Sequence, residues 1–143
     1  MPENKLYYED VAEGDEGPEL SLEVTRTHIV KYAGAGGDFN PIHTDEAFAT
    51  AVGLPSVFAM GLMQGGYLAR MLTDWVGVGN VRLLKIRYTG QVWPGETIIC
   101  RGKIAKKYEE GGARLIECGL AVTNANGDGK IDGTAVVALP TRG

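Results

Sequence analysis

The feature that most constrains the fold is an apolar segment followed by four stretches in which apolar and polar residues alternate. Residues 58–75 carry apolar side chains around most of a helical circumference, which predicts one long helix with neighbours on most sides. After this helix the period becomes two, and four strands are expected, over residues 81–89, 98–104, 116–122 and 133–139. Together the two patterns predict an α+β fold in which an antiparallel sheet wraps around the central helix.

Turn-forming residues lie between the four strands. Pro94-Gly95, the stretch Glu110-Gly111-Gly112 and residues 124–129 each interrupt the alternation. We therefore expect a meander, in which each strand pairs with the strand that precedes it. Such a sheet has two open edges and leaves part of the helix exposed, so a dimer is expected.

One strand and two shorter helices are expected before the long helix. The strand is predicted near residues 20–24, and Thr25 or Thr27 is expected to cap the helix that follows it. The second short helix is predicted to begin at Thr44, with Asp45 in its first turn, where the helix dipole favours negative charge.

Composition and charge limit the expected partners. The chain has 143 residues, a net charge of −4 and a pI of about 5.2, which suits a single domain over residues 1–143. No basic cluster stands out, so nucleic acid is not an expected partner. Gln64, Arg70 and Asp74 interrupt the apolar segment, which argues against a membrane span.

The N-terminus and the cysteines indicate the compartment. The first residues lack the apolar core of a signal peptide. Cys100 and Cys118 have neither metal-ligand spacing nor a nearby His, so they are expected to be reduced, buried thiols. We expect a cytoplasmic protein with no bound metal or cofactor.

Asp38 and His43 form the closely spaced acid–histidine pair of the chain, in the segment Gly-Gly-Asp-Phe-Asn-Pro-Ile-His at residues 36–43. A carboxylate beside an imidazole can hold a water molecule and move protons at neutral pH. The alternative is structural, because Asp and Asn before Pro form Asx turns and Asp38 would then serve only its own backbone. Spacing alone leaves both interpretations open.

The start of the long helix at Gly61 is a second candidate group. Unpaired N–H groups at a helix start can stabilise a developing oxyanion, and a glycine lets a ligand carbonyl approach the backbone. The alternative is that Gly61 only permits close packing.

Aromatic and basic residues complete the candidate set. The aromatic side chains are interpreted either as core or as the lining of an apolar tunnel: Tyr32, Tyr67, Tyr88 and Trp93. Arg82, Lys85 and Arg87 lie on the strand predicted over 81–89 and would bind the phosphates of an anionic ligand, unless they form a solvated strand face.

The stretch Tyr-Ala-Gly-Ala-Gly-Gly-Asp-Phe-Asn-Pro-Ile-His at residues 32–43 resembles the hydratase signature of the MaoC-like family. That family contains (R)-specific enoyl-CoA hydratases and related 3-hydroxyacyl-thioester dehydratases of hot-dog fold. Residues 58–63, Phe-Ala-Met-Gly-Leu-Met, and residues 92–96, Val-Trp-Pro-Gly-Glu, match in the same order. The resemblance covers nearly the whole chain.

The resemblance implies a function for each part of the site. Asp38 and His43 would hold the water that adds to a trans-2-enoyl thioester, and which of them is base or acid stays open. The N–H near Gly61 would stabilise the enolate, and Asn40 would orient the pair. Many relatives have His where this chain has Met60, which removes a polar group from the expected pocket rim and leaves substrate preference open.

The substrate would be an acyl thioester of coenzyme A, or of acyl carrier protein. The expected assembly is a homodimer, with a heterodimer of related hot-dog subunits or a higher assembly of dimers as alternatives. Two rival functions remain: an acyl-CoA thioesterase of the same fold, and a non-catalytic subunit that presents ligand to a partner. A thioesterase would need a carboxylate on the central helix, where Gln64 is an amide.

Overall fold

The computed structural model describes residues 5–143. Within this range a short 3-10 helix at Tyr8–Asp10 precedes three α-helices and five strands. In chain order they are β1 (Leu20–Glu23), α1 (Arg26–Gly36), α2 (Glu46–Ala51), α3 (Gly61–Val76), β2 (Val81–Tyr88), β3 (Thr97–Glu110), β4 (Ala113–Asn124) and β5 (Gly129–Ala138).

The five strands form one antiparallel sheet in the order β1-β3-β4-β5-β2. Strands β3, β4 and β5 form a meander, as expected. Strand β2 pairs with β5 instead of β3, and Lys85 lies opposite Thr134. The predicted meander is therefore wrong for its first strand, because Pro94-Gly95 is not a hairpin turn. It belongs to a crossover over residues 89–96, which carries the chain from one edge of the sheet to β3 near the other.

Long-range hydrogen bonds hold this crossover across the N-terminal end of α3. The Ala59 N–H donates to the Val92 carbonyl at 2.8 Å. The Val24 N–H donates to the Glu96 carbonyl at 2.8 Å, and the Val24 carbonyl accepts from the Gly95 N–H at 2.7 Å. These partners are distant in sequence, so the local turn signal at Pro94-Gly95 could not reveal which strands it connects.

Helix α3 lies at the centre of the hydrophobic core. Leu68, Leu72 and Val76 are buried and join the inward-facing side chains of the sheet in one cluster. Each fully buried side chain of this size stabilises the fold by about 1.5–3 kcal/mol. Near the end of α3, the Trp75 indole packs so closely on Gly17 that a Cβ there would meet the ring at 2.5 Å. The predicted enclosure of the helix by the sheet is confirmed.

Helix α3 begins three residues later than its apolar pattern indicates. Phe58 and Ala59 lie outside the helix, because their N–H groups donate to the carbonyls of Ile42 and Val92. Met60 is the N-cap residue, without a side-chain hydrogen bond to the helix. The first helical residue is therefore Gly61, which keeps its N–H at the helix start.

The other helix starts follow ordinary capping chemistry. The Thr25 side chain accepts from the His28 N–H at 3.1 Å and caps α1, as one of the two predicted candidates. Helix α2 does not begin at Thr44, because the Asp45 carboxylate accepts from the Phe48 N–H at 3.1 Å and takes the N-cap position.

The edges of the sheet are β1 and β2. Leu83 and Tyr88 on β2 and Leu62 on α3 are exposed apolar side chains.

Cys100 and Cys118 are free and buried, as predicted. Among residues 5–143, no helix has the length and apolar character that crossing a membrane requires.

Candidate active site

Two overlapping Asx turns form the segment that contains the acid–histidine pair. Asp38 Oδ1 accepts from the Asn40 N–H at 3.3 Å, and Asn40 Oδ1 accepts from the Ile42 N–H at 3.2 Å. The Asn40 carbonyl also accepts from the His43 N–H at 3.1 Å. Asn40 therefore contributes both its side chain and its carbonyl to the turn that brings Asp38 back towards His43.

His43 is buried and fixed by a hydrogen bond that determines its tautomer. Its side chain is 8% exposed, and its ring packs edge-on against the Phe58 ring with centroids 4.8 Å apart. Nδ1 lies 2.6 Å from the Phe58 carbonyl oxygen. A carbonyl oxygen can only accept, so Nδ1 carries the proton. In the neutral imidazole, Nε2 is therefore the basic nitrogen.

Asp38 lies opposite this basic nitrogen. The distance from His43 Nε2 to Asp38 Oδ2 is 3.5 Å, which is long for a direct hydrogen bond. The Asp38 side chain is 44% exposed, so solvent reaches the pair. A water molecule lying to one side of the pair would donate one hydrogen bond to each group. One carboxylate oxygen of Asp38 closes the turn, and the other faces His43.

Gly61 occupies the first position of α3, where backbone N–H groups lack intrahelical acceptors. Its missing side chain has a clear steric reason. A Cβ at Gly61 would lie 2.8 Å from Cε1 of the Tyr88 ring, which packs against this turn from β2. Close packing against Tyr88 therefore explains why residue 61 is a glycine. Its backbone N–H is one of the N–H groups at the start of α3.

A cavity of about 330 Å³ lies at this helix start. Gly61, Leu62 and Gln64 line it from α3, and Phe58 and Tyr88 contribute from the preceding segment and from β2. Phe58 joins the two halves of the site, because its carbonyl holds His43 while its own residue lines the cavity. Asp38 and His43 do not line this cavity themselves, and Phe58 is the residue that connects them to it.

The other predicted lining residues do not converge on this cavity. Tyr32 and Tyr67 line a separate cavity of about 350 Å³ between α1 and α3. Trp93 packs on Phe58 at a centroid distance of 5.8 Å and lines a polar pocket beyond it. Met60 is 3% exposed and belongs to the hydrophobic core.

The predicted basic stretch lies along the edge strand β2. Arg87 forms an ion pair with Asp132 at 3.3 Å, and Arg82 donates to the Gly79 carbonyl at 2.6 Å. Lys85 is exposed beside them. None of the three lines the cavity at the helix start. Within residues 5–143, no group of three or more His, Cys, Asp or Glu side chains could hold a metal ion.

A polar cluster that the sequence did not reveal supports the crossover. Lys130 Nζ donates to the Gln91 carbonyl at 2.6 Å and lies 3.1 Å from the Glu96 carboxylate. Glu96 also accepts from the Trp93 N–H and the Asn124 side chain, each at 2.9 Å. Burial raises the pKa of Glu96, but these hydrogen bonds and the Lys130 charge outweigh it and lower the pKa below its ordinary value.

Curated proteins with related sequences have consistent names. The chain is 26% identical over 139 residues to an (R)-specific enoyl-CoA hydratase of Rhodospirillum rubrum, covering 96% of this chain and 94% of the relative. It is 29% identical to a 3-hydroxybutyryl-CoA dehydratase of Methylorubrum extorquens, covering 99% and 90%. A further match, 40% identical over 62 residues (43% of this chain), is to the peroxisomal hydratase-dehydrogenase-epimerase of Saccharomyces cerevisiae, of which the chain spans 7%.

Solved structures and a family model agree with these sequences. The R-hydratase PhaJ1 of Pseudomonas aeruginosa superposes with a TM-score of 0.85 at 21% identity, covering 96% of this chain and 88% of that one, which confirms the hot-dog fold. The ChsH1–ChsH2 complex of Mycobacterium tuberculosis matches with a TM-score of 0.78 at 26% identity, over 90% and 98%. The model of the MaoC-like domain matches residues 11–125. The chain therefore belongs to the MaoC-like domain family.

Proposed function

We propose that this protein hydrates trans-2-enoyl thioesters to (R)-3-hydroxyacyl thioesters, or catalyses the reverse dehydration. The observation that carries the proposal is the His43 imidazole, whose Nδ1 is bonded to the Phe58 carbonyl and whose Nε2 faces Asp38. Family membership and the hydratase and dehydratase names of the full-length relatives support the same reaction.

In the proposed hydration, the water bound beside His43 Nε2 and Asp38 is the nucleophile. Nε2 accepts one proton from the water while the oxygen bonds to C3 of the enoyl group. The electrons of the C2–C3 double bond move towards the thioester carbonyl, and an enolate forms. Protonated Nε2 then returns the proton to C2, which completes the addition of one water and restores the neutral imidazole. Asp38 accepts a hydrogen bond from the other O–H of the water, which remains on the product hydroxyl, and its carboxylate stabilises the transient imidazolium.

The thioester carbonyl is proposed to bind at the start of α3. The N–H of Gly61 donates to the carbonyl oxygen, and the positive end of the helix dipole favours the negative charge that develops there. Both groups are fixed before substrate binds, because Tyr88 packs on Gly61 and Phe58 holds His43. Asn40 has a supporting role through the turn.

The carrier and the assembly are part of the same proposal. Coenzyme A is the proposed carrier, with acyl carrier protein as the alternative, and the proposed location is the cytoplasm. The open edge at β2 and the exposed Leu83 and Tyr88 support a homodimer. A heterodimer is the alternative, since the similar ChsH1–ChsH2 structure is a complex of two chains. Light scattering of the purified chain distinguishes a monomer from a dimer. Activity of the purified chain without a second subunit would favour the homodimer over the heterodimer.

The test is an assay of the purified wild-type chain with enoyl-CoAs of increasing length. We expect loss of the enoyl chromophore without release of free thiol, and chiral analysis should give the (R)-3-hydroxyacyl product. Release of coenzyme A at the rate of substrate loss would instead establish a thioesterase. Binding of enoyl-CoA without turnover would favour a non-catalytic subunit, and activity that appears only with a second chain would establish a heterodimer.

A further inference from the structure

Gln64 is a buried polar side chain without a partner. It lies on α3, is 2% exposed, and its Oε1 atom makes no hydrogen bond. Among the buried side-chain nitrogen and oxygen atoms of residues 5–143, Oε1 is the one left without a partner. Buried polar groups are nearly always paired, so an unpaired amide on the buried side of α3 requires a separate explanation.

The position of Gln64 places this amide beside the helix start. Gln64 follows Gly61 by three residues, so the two are neighbours on the same face of α3. Side chains in a helix lean towards its N-terminus, which directs the Gln64 amide over the first turn. Both residues line the cavity of about 330 Å³, together with Phe58, whose carbonyl holds His43.

The chemistry of an amide suits this position. Its oxygen and nitrogen exchange places by a half-turn of the side chain, and no protein partner fixes Oε1 in one orientation. In the orientation that the structure shows, Oε1 is the enclosed atom, which leaves Nε2 to present an N–H to the cavity that contains the helix start. Ala59, Leu62 and Tyr88 contribute apolar surface to this cavity, and a bound acyl thioester would cover it and strengthen a hydrogen bond to a developing charge.

We propose that Gln64 contacts the substrate and donates a second hydrogen bond, beside that of Gly61, to the thioester carbonyl oxygen. This proposal rests on the proposed function. Because the oxygen gains negative charge as the enolate forms, the bond is stronger in the transition state than in the bound substrate. Gln64 is therefore expected to affect turnover more than substrate binding.

The variant Gln64→Met tests the proposal, because Met has a similar length and no hydrogen-bonding N–H. We expect kcat for crotonyl-CoA hydration to fall by about 100-fold, as for loss of one oxyanion donor. The Kd of the unreactive saturated analogue butyryl-CoA, measured by calorimetry, should change by less than about threefold. The Tm should rise, because the variant removes an unpaired buried polar atom.

A second variant and a control separate this role from packing. Gln64→Glu has nearly the same shape, and its carboxylate would oppose the developing charge, so it should be slower than Gln64→Met. Met71→Leu changes packing on the buried face of the same helix and should leave kcat within about twofold. If Gln64 only binds an internal water, Gln64→Met will lower the Tm and keep kcat within twofold of wild type, which overturns the proposal. A wild-type chain without hydratase activity overturns the proposed function as well.

Discussion

The steric role of Gly61 predicts a measurable coupling with Tyr88. In Gly61→Ala, the new Cβ would lie 2.8, 3.0 and 3.1 Å from three carbons of the Tyr88 ring. Overpacking of this kind costs about 1–3 kcal/mol, and the better helix propensity of Ala returns at most about 1 kcal/mol. We expect a net loss of about 1–2 kcal/mol in the free energy of unfolding. For a chain of this size that lowers the Tm by roughly 3–8 °C.

The assay is a double-mutant cycle measured by urea denaturation. In the Tyr88→Ala background the clash is absent, so Gly61→Ala should be neutral or slightly stabilising, with a coupling energy of about 1–3 kcal/mol. Gly66→Ala is the matched control, because a Cβ at Gly66 meets nothing within 4 Å. It should stabilise the fold by up to about 1 kcal/mol in either background. Additivity of Gly61→Ala and Tyr88→Ala within about 0.5 kcal/mol would refute the steric explanation.

Three further predictions concern other parts of the fold. Burial raises the pKa of Cys100 and of Cys118 to about 11. At pH 8 a thiol reagent should therefore label both slowly in the native chain and quickly in urea. Fast labelling of the native chain would contradict their burial in the core. The folded-state pKa of Glu96 is lowered, so ionised Glu96 stabilises the fold above the ordinary pKa of 4.5, and this stabilisation is lost as pH falls through the folded-state pKa. Glu96→Gln should therefore reduce the loss of unfolding free energy at acid pH. An unchanged pH dependence in the variant would refute this linkage. Asn40→Ala should lower kcat/KM about 10–100-fold, because the turn that positions Asp38 and His43 would shift. Asn40→Asp keeps an acceptor for the Ile42 N–H and should retain most activity. Equal activity in the two variants would exclude a role for the Asn40 side chain.

The sequence predicted the elements of the fold better than their connections. The apolar circumference of α3 and the alternation of the strands are local patterns, and both were confirmed. The pairing of β2 with β5 depends on the crossover, which is held by bonds from Ala59 and Val24 that no local pattern records.

The sequence likewise predicted the residues of the candidate site better than the contacts between them. The spacing of Asp38 and His43 made the pair visible, but the tautomer of His43 depends on the Phe58 carbonyl, fifteen residues away. In the sequence Gln64 is a break in an apolar segment and an amide where a thioesterase would need a carboxylate, but burial of that amide depends on how the sheet closes around α3. The contact of Gly61 with Tyr88 likewise joins residues that only the tertiary fold brings together.

The most direct test of the central claim is the crotonyl-CoA hydration rate of Asp38→Asn and His43→Ala beside the wild type. Both variants should fold normally by circular dichroism, and each should lose about 10²–10⁴-fold in kcat, the usual contribution of a positioned acid–base group. Asp74→Asn removes a carboxylate that is 63% exposed on α3 and should keep wild-type turnover. Near-wild-type turnover in either Asp38→Asn or His43→Ala would contradict the account.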